Sequence, residues 1–96
     1  MFSYDHWREW LRAKQLETAA CGFDSHFTGG GNLNVDWPER GLAGHFTFWE
    51  NGLCDFCVQG PNGPLVWEMG LEANDGNLPQ LFERFMTSFG GQPKSA

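Results

Sequence analysis

Apolar and polar side chains alternate through the middle of the chain, and helical spacing replaces that alternation at both ends. The run Gly44-His45-Phe46-Thr47-Phe48-Trp49-Glu50-Asn51-Gly52-Leu53-Cys54-Asp55-Phe56-Cys57-Val58 reads as two strands around an Asn-Gly turn. Register decides its faces. A two-residue loop would put Phe46 and Phe48 on the side of Asp55 and Cys57. A three-residue loop, with Glu50 and Asn51 in a type I turn and a left-handed Gly52 as bulge, gathers Phe46, Phe48, Cys54, Phe56 and Val58 on one face. The second register is expected, because a one-residue slip exposes several aromatic rings. Gly60-Pro61-Asn62-Gly63 then fits a four-residue hairpin loop, which pairs Val58 with Leu65, Phe56 with Trp67 and Cys54 with Met69.

Earlier in the chain, residues 32–37 alternate as a half-buried strand that Pro38 stops. Residues 21–27 alternate weakly, as an edge strand with Phe23 and Phe27 on one side and Asp24 and His26 on the other. Gly29, Gly30 and Gly31 connect the two. Ser3 as N-cap, Asp5 in the first turn, Phe2 stapled onto Trp7, and Trp10, Leu11 and Leu16 on the apolar stripe predict a first helix ending near Thr18. Leu78, Leu81, Phe82, Phe85 and Phe89 follow the spacing of a second helical stripe, with Pro79 in its first turn and Gly90-Gly91 ending it. The fold class is therefore α+β in two layers, ordered α-β-β-β-β-β-α, with both helices on one face of an antiparallel sheet of about four to five strands. Residues 1–91 form one domain and residues 92–96 a flexible tail.

The alternate residues line the uncovered face: Asn32, Asn34 and Asp36, then His45, Thr47 and Trp49, then Asp55 and Cys57, then Val66 and Glu68. An exposed tryptophan among carboxylates and amides is the composition of a recognition surface, since the ring supplies contact area and the acids select a basic partner.

Composition limits the alternatives. A chain of 96 residues hides only roughly 60 to 65% of its unfolded surface, enough for one core. Nine Phe, five Trp and one Tyr are an ample apolar endowment for it. Twelve acids against six bases give a net charge of −6, which repels nucleic-acid phosphates and anionic membranes. Between residues 36 and 75 seven acids face Arg40 alone, so the excess lies in the strands and turns. No apolar run reaches the roughly 18 to 20 residues of a membrane span, and the first residues lack the pattern of a signal peptide. With an odd number of cysteines, three, reduced thiols and a cytoplasmic location are expected.

Candidate chemistry is sparse. Cys54 and Cys57, three apart on a strand, point to opposite faces and cannot share a metal with His45 or Cys21. Cys57 beside His45 lacks the orienting acid and pocket of a thiol nucleophile. The Gly29-Gly30-Gly31 loop lacks the Lys-Ser/Thr ending of a phosphate loop and leads into a strand. Asp55 and Glu68 are neighbours on a flat open face without a cleft. No catalytic residue, metal or cofactor is expected.

The hairpin Gly44-His45-Phe46-Thr47-Phe48-Trp49-Glu50-Asn51-Gly52-Leu53-Cys54-Asp55, followed by Gly63, Val66-Trp67-Glu68 and a closing Leu/Phe-rich helix, after an N-terminal helix containing Trp, resembles the TriTu family of bacterial immunity proteins. The Gly29–Gly31 loop and the Pro38-Glu39-Arg40 turn fall outside the resemblance. It implies a partner, an ADP-ribosyltransferase toxin, often at the end of an Rhs polymorphic toxin, delivered by a contact-dependent system such as type VI secretion and acting on elongation factor Tu. It implies neutralisation by occlusion of the toxin's NAD-binding cleft. Asp36, His45, Thr47, Trp49, Asp55 and Glu68 are the expected contacts of a monomer, with Glu39, Arg40, Glu50, Asn62 and Glu72 as a second, loop-edge surface. The alternative is a small acidic secretion chaperone, which would be a dimer holding an unfolded segment of an effector.

Overall fold

Local patterning becomes architecture with few departures. The computed structural model describes residues 2–94. Helix α1 (Tyr4–Ala20) is followed by strands β1 (Asp24–Phe27), β2 (Asn32–Trp37), β3 (Leu42–Phe48), β4 (Leu53–Gly60) and β5 (Gly63–Glu72), with a 3-10 turn at Pro38–Arg40, and then by helix α2 (Leu78–Thr87). Each strand pairs antiparallel with the next, so the five form a meander in chain order. This is the α+β arrangement that the pattern predicts. Among the described residues no helix is long and apolar enough to cross a membrane.

The central hairpin takes the three-residue loop. Gly52 N–H donates to the Trp49 carbonyl at 2.9 Å, Trp49 N–H donates to the Leu53 carbonyl, and Gly52 sits at φ +85°. Phe46 therefore faces Phe56, and Phe48 faces Cys54. These four side chains are buried with Leu33, Val35 and Val58 under Trp7 and Leu11 of α1 and Leu78, Leu81, Phe82 and Phe85 of α2. The Phe85 ring meets those of Phe46, Phe56, Phe82 and Phe89, all within 6.2 Å between centroids.

β5 departs from expectation. Val58 faces Val66, Phe56 faces Glu68 and Cys54 faces Leu71, because the β4–β5 register slips twice. Near the turn Leu65 is the extra residue, lying between the Gln59–Pro64 and Val58–Val66 pairs. Further on, Asp55 alone opposes both Met69 and Gly70; Gly70 is at φ +68° and its N–H donates to an Asp55 carboxylate oxygen at 2.6 Å. Each bulge exchanges the faces of the residues beyond it. Val66, Glu68 and Leu71 thus turn toward the helices, and Leu65, Trp67 and Met69 toward the open side.

The helical ends differ in detail. α1 runs to Ala20 and buries Trp7, Leu11 and Thr18, while Leu16 is exposed. At 100° per residue Leu16 stands about 180° around the helix from Trp7, so it never belonged to the stripe. Ser3 occupies the N-cap position without a capping side-chain bond. Asp75 accepts instead, from Ser3 N–H at 2.9 Å, Ser3 Oγ at 2.8 Å and Trp7 Nε1 at 2.6 Å. Phe2 stands edge-on to Phe48 at 5.4 Å, the place predicted for a staple onto Trp7 being taken by this contact with the sheet. β1 starts at Asp24 with Phe23 and Ser25 buried and Asp24 and His26 exposed, the predicted alternation. In the tail, Lys94 N–H donates to the Cys21 carbonyl at 3.0 Å, so residues 92–94 return to the end of α1; residues 95 and 96 lie outside the described residues.

Candidate binding face

With both helices on one side, the other side of the sheet is open. Cross-strand rows can be followed across it: Asp24, Asp36, Ala43 and Gln59 form one, and His26, Asn34, His45, Cys57 and Trp67 the next. A third contains Asn32, Thr47 and Asp55, and beyond it Trp49 and Leu53 flank the turn.

Five of the six predicted contacts are on this face. Asp36, His45, Thr47 and Asp55 are positioned by the pleat of β2, β3 and β4, and Trp49 stands at the turn, 45% exposed. Glu68 is not among them. The bulge at Leu65 turns it toward α2, where Arg84 Nη2 donates to its carboxylate at 2.6 Å, and so Asp55 and Glu68 are not neighbours. The second predicted surface is also divided. Glu39 and Arg40 sit in the 3-10 turn at the sheet end where Pro61 lies, next to Asn62 in the β4–β5 turn. Glu50 and Glu72 are at the opposite end, about 20 Å away along the strands.

Leu65, Trp67 and Met69 are exposed apolar residues that the predicted register concealed, and Leu53, on the open side in either register, is exposed with them; Trp67 and Met69 are 56% and 57% exposed. The signal for half of this was Gly70, since an isolated glycine inside a strand pattern marks a bulge. Trp49, Leu53, Asp55, Met69 and Gly70 border one shallow depression, and Asn34, Asp36, Ala43, Gly44, His45, Cys57, Gln59 and Trp67 another of about 310 Å³.

Charge is segregated between the layers. α1 and α2 hold Asp5, Glu9, Glu17 and Glu83 against Arg8, Arg12, Lys14 and Arg84, four against four. Among the described residues no strand contains Lys or Arg, and the strands carry Asp24, Asp36, Asp55, Glu68 and Glu72. The polar groups of the face are partly engaged with each other: Thr47 Oγ1 donates to Asn32 Oδ1 at 2.7 Å, and His26 Nε2 lies 2.9 Å from Asp24 Oδ1.

The two strand thiols, Cys54 and Cys57, are held neutral. Cys57 Sγ lies 3.3 Å from His45 Nδ1, yet burial pushes its pKa up, with the His45 contact pulling in the other direction. Cys54, on the core side, is pushed up to about 12 by burial and by the neighbouring Asp55 charge. Among the described residues no three His, Cys, Asp or Glu side chains converge as metal ligands. A flat acidic sheet with exposed rings is chemically suited to holding a cationic surface.

In comparison with known proteins, no family model, no curated sequence and no solved structure matches this chain.

Proposed function

We propose that this domain is an immunity protein, a monomer that binds a cognate secreted antibacterial toxin one to one in the cytoplasm and neutralises it without catalysis. The observation that carries the reading is the open sheet face, on which Trp49, Leu53, Leu65, Trp67 and Met69 are exposed beside Asp36 and Asp55, with no Lys or Arg in any strand of the described residues. Exposed aromatic and Met side chains are typical anchors of protein interfaces, and a purely acidic surround directs them to a basic surface.

The resemblance of the Trp49-Glu50-Asn51-Gly52 hairpin to TriTu immunity proteins supplies the toxin class, an ADP-ribosyltransferase. A cleft that accepts the NAD pyrophosphate presents cationic donors, and an acidic face occupies it as an anionic decoy. The test is titration calorimetry with the polypeptide encoded immediately upstream. A one-to-one complex is expected, with NAD competing for the toxin. Trp49→Ala is expected to weaken the complex about 30-fold, the effect of losing one interface hot spot of about 2 kcal/mol. No complex, or an affinity that survives both Trp49→Ala and Met69→Ala, rules the reading out.

A further inference from the structure

The depression of about 310 Å³ on the open face has a specific chemical character. Its floor is low because Ala43 is the only side chain that β3 contributes between Asp36 on β2 and Gln59 on β4. Around that floor stand a carboxylate (Asp36), two amides (Asn34 and Gln59), the His45 imidazole with the Cys57 thiol beside it, and an indole (Trp67). Asp36 is directly opposite Asp24, and like charges placed so oppose each other. Asp24 has His26 at 2.9 Å, whereas Asp36 has no ion-pair partner among the described residues. The site is thus a negative charge without its counter-ion, at one end of a trough whose other end is an exposed aromatic side chain.

We infer that this trough receives a single arginine side chain of the docked partner, its guanidinium at Asp36 and its aliphatic stem along Ala43 toward Trp67. The inference rests on the reading of the open face as a docking surface and names the partner group that one part of it takes. Three strand spacings separate β2 from β5, about 14 Å. A long side chain lying across the strands fits that span, with the ends of Asp36 and Trp67 projecting to meet it. Arginine suits the acceptors better than lysine. A guanidinium offers five donors in a planar fork, so that one edge pairs bidentately with Asp36 while the remaining N–H groups reach the amide oxygens of Asn34 or Gln59. A lysine ammonium is a point charge that uses only part of this set.

The experiment uses the isolated domain and N-acetylarginine amide, followed by two-dimensional amide and indole NMR. Saturable shifts are expected at Asn34, Gly44 and the Trp67 indole. The lysine analogue should bind several-fold more weakly, and the isosteric but uncharged citrulline analogue should leave these signals in place. Asp36→Asn is expected to lower affinity at least fivefold and Trp67→Leu at least twofold, while Glu83→Gln on α2 changes nothing; the dispersion of each spectrum reports that the variant is folded. Shifts that do not saturate, citrulline equal to arginine, or an Asp36→Asn domain that binds unchanged would each overturn the assignment. The toxin titration fails or succeeds separately. A toxin complex weakened by Trp49→Ala with the arginine amide silent keeps the docking face and removes the trough, and an occupied trough without a toxin complex does the reverse.

Discussion

Asp75 shows how much of this small fold can hang on one exposed carboxylate. It takes hydrogen bonds from Ser3 and Trp7, joining the start of α1 to the loop ahead of α2, and those donors hold its pKa below the ordinary 3.8, Ser3 N–H most strongly. A depressed carboxylate stabilises the fold fully above the unfolded value, and that stabilisation disappears as pH falls through the folded one. Asp75→Ala is therefore expected to melt at a lower temperature than the parent at pH 7, with the gap narrowing as pH is taken below 3.8. A constant gap across that range, followed by circular dichroism, would mean that the charge is irrelevant. The cysteines make a second residue-scale prediction. With Cys54 buried in the core and Cys57 buried and held protonated beside His45, a disulfide reagent at pH 8 should titrate one thiol, the half-buried Cys21, in the folded protein and three after unfolding. Such residue-level facts were only partly present in the sequence. The opposite faces of Cys54 and Cys57 follow from strand period, but Ser3's partner lies 72 residues away and no local pattern announces it.

At the scale of elements, α2 and the β3–β4 hairpin form the strongest unit. Phe85 is fully buried against four other rings, so Phe85→Ala should cost about 3–5 kcal/mol in urea denaturation. This hairpin was legible because an Asn-Gly turn and alternating phenylalanines determine register together. β5 was not. Its composition reads equally well in two frames, since Leu65, Trp67 and Met69 are as apolar as a buried face needs, and Val66 and Leu71 supply the core in their place. Only the bulges decide, and the one at Leu65 has no glycine to mark it. The Gly70 bulge is open to a direct test. At φ +68° a β-branched side chain is strained, so Gly70→Val should destabilise the fold by about 1–2 kcal/mol and displace Met69. Glu68 supplies the converse: facing Arg84 on the helix side, it should tolerate Glu68→Gln with affinity for the proposed toxin unchanged within twofold.

For the whole molecule, the charge excess first noticed between residues 36 and 75 becomes an acidic sheet behind which lies a helical layer of zero net charge. Encounter with a basic partner should accordingly be fast at low ionic strength and slow steeply as salt shortens the screening length from about 30 Å at 0.01 M to about 8 Å at 0.15 M, while the dissociation rate changes little. Stopped-flow association across that range would measure it. The layered charge also has a practical consequence. It makes the molecule a permanent dipole, which a uniformly positive matrix will turn before it holds. On an anion-exchange resin the domain should lie sheet-down, its helices toward the solvent, and a partner passed over the column would meet the helices and not the face proposed to bind it.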